Sequence, residues 1–168
     1  MTNFINLEKI KRFIVKRKVA FIASIDDEDF PNVKCMLRPR KSMEGLKTLY
    51  FSTNTSSIRV QQYRENPKAC IYFYRKGLIK YQGVMLKGIM EVLEDEEIKK
   101  RFWSFGDKMF YPKGVTDPDY CILKFTATSG RYYCDLKTES FVIEKDRGYD
   151  NQIRISDGRF IRKICIRL

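Results

Sequence analysis

The sequence predicts a mainly β fold, an antiparallel barrel with helices packed on its outside. Three observations carry that expectation. Apolar or alternating runs of strand length follow one another, most of them separated only by turn signals. The aromatic share is 14%, with 12 Phe and 10 Tyr, which suits the pleated surface of a sheet. Helical periodicity occurs in a few places, never in the regular strand–helix alternation that a parallel sheet requires. At 168 residues the chain can bury a core as one domain without metal or disulfide staples.

Taken in order, residues 7–18 read as an amphipathic helix. Asn6 can cap it, Glu8 suits its first turn, and Leu7, Ile10 and Ile14 recur at helical spacing. VAFIASI, 19–25, reads as a buried strand closed by the acidic turn DDEDFPN. VKCMLRPR, 33–40, alternates, with Val33, Cys35 and Leu37 on one face and Lys34, Met36 and Arg38 on the other. Pro39 lacks a ladder N–H and marks a strand end, a bulge or an edge. SMEG turns the chain into a third strand, LKTLYFST at 46–53. A hydroxyl-rich loop follows, then a short helix near 57–65 that stops at Asn66-Pro67.

KACIYFYR, 68–75, is the fourth strand, and 78–93 is one bent strand or two short ones with Gly83 and Gly88 as bulge points. Asp95 can cap a third helix that carries Ile98, Phe102, Phe105 and Met109 on one face. CILKFTA, 121–127, and SFVIEKD, 140–146, read as strands, and the Asp-Gly pair within 153–161 is a hairpin signal. The expected organisation is a domain over 1–135 and a C-terminal extension over 136–168, its strands packed on the same domain.

The 33 basic residues against 21 acidic ones give a net charge of +12, a field that attracts anions in general. The charge is dispersed and forms no dedicated nucleic-acid arm. The absence of histidine excludes histidine-based catalysis, His metal ligands and Ser-His or Cys-His pairs. None of the five cysteines forms a CxxC pair; Cys35, Cys70 and Cys121 sit in strand-like apolar runs and are expected to be buried, reduced thiols. No run approaches the ~20 apolar residues of a membrane helix. The N-terminal residues lack a signal-peptide pattern, so a cytoplasmic location is expected.

The chemistry-bearing candidate is the stretch STNTSSIRV, 52–60. A helix N-terminus presents unpaired N–H groups and partial positive charge, Ser56 or Ser57 can cap it, and spare hydroxyls can donate to a phosphate. Arg59 in the first turn opposes the helix dipole, and a bound anion reverses that penalty. Thr53, Ser57 and Arg59 are therefore a candidate phosphate cradle, although local sequence alone favours a plain helix cap with Arg59 solvated. Arg38 and Arg40 flank Pro39 nearby in sequence. If their strand pairs with 46–53 as a hairpin, Thr53 meets Val33 and Lys34 instead; a closed barrel or a dimer brings Arg38 to the cleft. Trp103 is core rim or an aromatic lid, and the Asp117–Asp119 pair reads as a structural turn.

A strand ending in RPR, a Gly turn, LYFSTNTSSIR, a helix running to ENP and then KACIYFY resembles the flavin-binding split-barrel superfamily related to pyridoxamine 5′-phosphate oxidase. The later WSFGDKMFYPKGVTDPDYCILKF resembles its general-stress-protein branch, and together the matches span about 7–133. The resemblance implies a six-stranded Greek-key split barrel and a homodimer with FMN at the subunit interface. It places the flavin phosphate on Ser52, Thr53, Ser57 and Arg59, and the flavin ring and ribityl chain along the strand from Met36 to Arg40, with Arg38 the foremost side-chain contact. Aromatic residues of a partner subunit close the site in relatives; Trp103, Tyr111 and Tyr132 are the candidates here.

The tail lacks the Trp- and Arg-containing motif with which the oxidases themselves hold substrate, which argues against vitamin B6 oxidation. Three functions follow in order: an FMN-dependent oxidoreductase acting on a small molecule, a non-catalytic flavin-binding stress or sensor protein, and a nucleic-acid-binding barrel. The last ranks lowest because no predicted strand face concentrates the basic residues.

Overall fold

The computed structural model describes residues 7–40, 45–77, 81–134, 136–143, 151–157 and 160–166. The amphipathic helix forms as α1 (Leu7–Val15), shorter than expected at its C-terminal end, and Asn6 lies outside the described residues. Next come β1 (Val19–Ile25), β2 (Pro31–Leu37), β3 (Thr48–Asn54), α2 (Ile58–Glu65), β4 (Lys68–Lys76) and β5 (Tyr81–Leu93). The chain ends with α3 (Glu96–Phe102), the long β6 (Tyr120–Cys134), β7 (Lys137–Ile143), β8 (Asn151–Asp157) and β9 (Phe160–Ile166).

The nine strands among the described residues join one antiparallel sheet, in the order β2-β1-β4-β5-β6-β7-β8-β9 with β3 also paired to β6. β5 runs along one side of β6, while β3 and β7 share the other, β3 against Tyr120–Thr126 and β7 against Ser129–Cys134. The barrel strands are therefore β2-β1-β4-β5-β6-β3, an antiparallel split barrel with flanking helices. Its two ends, β2 and β3, do not pair as a hairpin. Just past β2, the Arg40 N–H donates to the Tyr50 carbonyl at 2.7 Å and narrows the split. β8 and β9 pair as the Asp-Gly signal foretold, with residues 158–159 of the turn outside the described residues.

Alternation decides what fills the barrel. Ala20 and Ile22 of β1, Leu49 and Phe51 of β3, Ile71 and Phe73 of β4, Val84 and Leu86 of β5, and Leu123 and Phe125 of β6 point inward to one core. Ile10, Phe13 and Ile14 of α1 and Val60 and Tyr63 of α2 join it from outside the sheet's inner face. A second cluster of Tyr50, Phe102, Tyr111, Tyr120 and Ile122 lies on the outer face of β3 and β6.

One predicted bulge point is a bulge and the other is not. The β5–β6 register shifts between Lys87 and Gly88, whereas Gly83 stays in register and leaves room for the Tyr72 ring. The third helix is shorter than its periodicity suggested. Asp95 caps it as expected, accepting from Glu97 and Ile98 N–H, but Trp103 adopts extended backbone and ends it. Ser104 and Asp107 then close a capping box on a separate 3-10 turn, Phe105–Met109. Because Asp107 is drawn inward, Phe105 and Met109 face solvent instead of extending the apolar face.

Among the cysteines, Cys121 is buried and Cys70 half-buried, but Cys35 is exposed. Among the described residues no layer packs over its strand, β2, so its apolar sequence does not translate into burial.

Candidate functional site

The hydroxyl loop is pinned from a distance by the DPDY segment. Asp119 accepts from Asn54 Nδ2 at 2.7 Å and from the Ser56 N–H at 2.8 Å, and its carbonyl accepts from the Thr55 N–H at 2.8 Å. Asp117 braces this turn, accepting from the N–H groups of Lys113 and Asp119. The aspartate pair is structural, as its sequence suggested, yet it also fixes the entry to α2. Nothing local to DPDY reveals that target.

The hydrogen bonds from Asn54 and Ser56 hold the Asp119 carboxyl below the ordinary carboxylate range. A depressed folded-state value means that its contribution to stability is complete above the ordinary range and is lost as pH falls through the lower folded value. The stability difference between wild type and Asp119→Asn, measured by urea unfolding, should therefore be largest near neutral pH and shrink on acidification. A pH-independent difference would contradict the tether.

Ser57 occupies the N-cap position with extended backbone, and its side chain makes no capping bond. The first-turn amides of Ile58 and Arg59 have no intrahelical acceptor, as at any helix start. Arg59, Val60, Gln62 and Tyr63 form the buried face of α2. Gln62 accepts from Ser24 Oγ at 2.6 Å, and Tyr63 Oη donates to the Ala23 carbonyl at 3.2 Å, docking the helix on β1. At 100° per residue, Arg59 falls within this docked face, one turn before Tyr63.

Arg59 is therefore not a solvated cation. It is 5% exposed, and its polar contact is Nη1 to the thioether sulfur of Met36 at 2.9 Å. A thioether is a weak acceptor, and no carboxylate among the described residues pairs with this guanidinium. Burial pushes its pKa below the ordinary arginine value, only partly offset by Tyr63, yet an arginine stays charged in a protein. A buried cation at the positive end of a helix dipole, without a counter-ion, is a costly arrangement. Earlier in the same loop, Thr55 Oγ1 is buried with no hydrogen-bond partner among the described residues.

The pleat separates the other candidates. Thr53 is buried and shares the inner face of β3 with Leu49 and Phe51, whereas Ser52 lies on the opposite face. There Ser52 Oγ accepts from Arg40 Nη2, which also pairs with Asp107 Oδ1 at 2.6 Å. Met36 and Arg59 thus meet at one point, and Arg40 and Ser52 at another. Arg38 is exposed, one residue past the end of β2, where its N–H donates to the Lys18 carbonyl at 2.9 Å. Asp107, which sequence reasoning missed, reaches Arg40 across 67 positions, a separation no local pattern signals.

Trp103 and Tyr111 both pack on Tyr120, within the outer aromatic cluster of their own chain. Tyr132 is half-buried and accepts from Gln82 Nε2 at 3.0 Å. No group of three or more metal-ligating side chains occurs among the described residues. No helix among them is long and apolar enough to cross a membrane.

The family profile described as pyridoxamine 5′-phosphate oxidase matches residues 7–134, from the first turn of α1 to the end of β6. The chain belongs to the pyridoxamine 5′-phosphate oxidase family. Among solved structures, it is similar to a Clostridium acetobutylicum protein related to general stress protein 26 of B. subtilis, of the pyridoxinephosphate oxidase family. Identity is 36% over 82% of this chain and 94% of that one, with a TM-score of 0.72. General stress protein 26 from Bacillus anthracis is 23% identical over 79% of this chain and 95% of that one, with a TM-score of 0.64. A heme binding protein from Mycobacterium smegmatis shares the fold over 99% of this chain and 89% of its own at 11% identity, with a TM-score of 0.62. No curated protein matches the sequence. Within the pyridoxamine 5′-phosphate oxidase family, then, the profile covers the barrel strands β1–β6, and β7–β9 lie beyond it.

Proposed function

We propose that this family member is an FMN-binding flavoprotein, a homodimer with the cofactor at the subunit interface, and an oxidoreductase acting on a small molecule. The observation that carries this reading is Arg59, buried at a helix start with a thioether as its polar partner among the described residues. A phosphate supplies the missing counter-charge, and the unused Ser57 hydroxyl and first-turn amides supply donors to it.

In this reading Thr53, Ser57 and Arg59 hold the phosphate, and Met36 and Arg38 line the ribityl chain and ring. Arg40 and Ser52, locked to each other and to Asp107, keep the ends of β2 and β3 at a fixed spacing. FMN, when bound, supplies hydride and single-electron chemistry; the chain supplies anchoring, orientation and shielding. The cofactor-binding unit is 1–135, and β7, β8 and β9 of the extension 136–168 continue its sheet.

The dimer reading rests on the outer face of β1 and β2. Val19 lies opposite Leu37, Phe21 opposite Cys35 and Ala23 opposite Val33, and Phe21 also neighbours Tyr72 of β4. Leu37 is 72% exposed and Val33 60%, an apolar sheet face of the kind that marks an interface. Phe21→Glu should yield a monomer by analytical ultracentrifugation with its far-UV spectrum retained. A dimer that survives this charge places the interface elsewhere.

The absorption spectrum tests the cofactor: bound flavin gives a band at ~450 nm. Its loss on adding NAD(P)H without oxygen, and its return with a quinone or nitro compound, establish turnover. Flavin that binds but does not cycle leaves a binding or sensor role. A colourless protein that takes up no FMN at micromolar concentration overturns the proposal.

A further inference from the structure

The thioether that faces Arg59 is an oxidisable atom set where a buried cation lacks a strong acceptor. Met36 lies on the inner face of β2, paired in register with buried Ala20, and packs partly buried against the main core. Cys35 and Leu37 point the other way, so its sulfur is on the side of β2 opposite the face read as an interface. Met36 keeps part of its surface open to solvent, on a strand that stands at the edge of the sheet among the described residues. Two other methionines mark the extremes: Met90 is sealed in the core and Met109 stands out in solvent.

Arg59 Nη1 donates to one lone pair of the Met36 sulfur at 2.9 Å and leaves the second free to react. A thioether accepts weakly, whereas the oxygen of a sulfoxide is strongly polarised and accepts from a guanidinium in a charge-assisted bond. Oxidation therefore turns the weak contact of a buried cation into a strong one. The guanidinium also favours the step, because it faces the oxygen on which negative charge gathers.

We propose that Met36 is a redox modification site: a peroxide oxidises it to the sulfoxide, whose oxygen takes Arg59 as its partner and competes with the phosphate of FMN. The competition rests on the FMN reading; the oxidation and the new contact do not. In the step, the free sulfur lone pair attacks one peroxide oxygen, the O–O bond breaks and an S–O bond forms. The sulfur loses two electrons, and with hydrogen peroxide the departing hydroxide takes the proton of the transferred oxygen and leaves as water. A methionine sulfoxide reductase with a thiol reverses the change, so the site switches in both directions.

The test treats FMN-free protein with hydrogen peroxide and locates the added oxygen by peptide mass spectrometry. Met36 should carry it ahead of Met90. FMN affinity, read by fluorescence quenching, should fall about tenfold, the weight of one charge-assisted bond diverted from the phosphate. Methionine sulfoxide reductase with dithiothreitol should restore the affinity and dithiothreitol alone should not, which separates the sulfoxide from a disulfide at exposed Cys35. Met36→Leu, whatever its own FMN affinity, should show no change on the same treatment, so oxidised Met109 does not account for the loss.

A second measurement needs no cofactor. Arg59→Leu removes the donor and adds no methionine, so its sulfoxide at position 36 has lost the guanidinium. Oxidation should shift the urea midpoint of this variant downward relative to the shift in wild type. Equal shifts in the two chains overturn the proposal. So does a Met36 that peroxide leaves intact while Met109 oxidises, or an FMN affinity that oxidation of Met36 does not lower. Divergent midpoints in a chain that takes up no FMN, oxidised or untreated, uphold the modification site and overturn the cofactor reading instead.

Discussion

Arg59→Ala should lower FMN affinity about a hundredfold, read as quenching of flavin fluorescence on titration, without loss of fold. The size follows from the contacts at stake. Two charge-assisted hydrogen bonds to a phosphate, each worth roughly 1.5–3 kcal/mol, amount to about 3 kcal/mol at the lower end. The sign of the effect on the free protein is the more telling part. In the absence of an anion the buried guanidinium faces a thioether and the positive end of α2, so its removal relieves a cost. Arg59→Met, which keeps most of the volume, should therefore raise the urea midpoint of the FMN-free chain while losing the cofactor. An FMN affinity unchanged in both variants would reduce residues 52–60 to a helix cap.

Gly88→Ala should destabilise the protein by about 3 kcal/mol, at the upper end for an overpacked site. A Cβ built there meets only backbone: the Thr126 carbonyl oxygen at 2.1 Å and carbon at 2.8 Å, and Ala127 Cα at 2.9 Å. No side-chain rotation relieves such a contact, so β5 and β6 must part where the bulge already interrupts their register. For a chain of this size the loss corresponds to a fall in Tm of about 10 °C by calorimetry. Gly106→Ala is the control, since a Cβ there has nothing within 4 Å. Equal melting temperatures for the two variants would refute the close approach.

Much of the fold was legible because strand alternation and turn chemistry act locally. β1 matches its predicted span residue for residue, and α2 begins one position later than expected, with Ser57 at its cap. The third helix was misjudged where a distant partner outweighs local period: Arg40 captures Asp107 and turns the Phe105–Met109 segment away from the core. Cys35 was misjudged for the opposite reason, since apolar sequence predicts a buried face only if something comes to cover it.

At the candidate site, the loop and the helix start were readable from STNTSSIRV, but the burial of Arg59 was not inferred. The spacing of Arg59, Val60 and Tyr63 already set the arginine on the helix's apolar stripe, and that signal was available. The meeting of Met36 with Arg59, by contrast, depends on how β2 closes over the barrel mouth, which no window of sequence contains.

β2 carries a consequence for how the proposed holoprotein behaves on dilution. Among the described residues only β1 pairs with it, and of its own residues Met36 alone is partly covered. A strand so thinly held contributes little to its own order and draws it from whatever lies on either side. With a subunit against Phe21 and Leu37 and a flavin against Met36 and Arg38, edge ordering, assembly and cofactor retention become one linked equilibrium. In the proposed FMN-bound dimer the cofactor would act as a glue as much as a reagent: a chain that lost its partner would shed its cofactor, and a chain stripped of cofactor would loosen its grip on the partner.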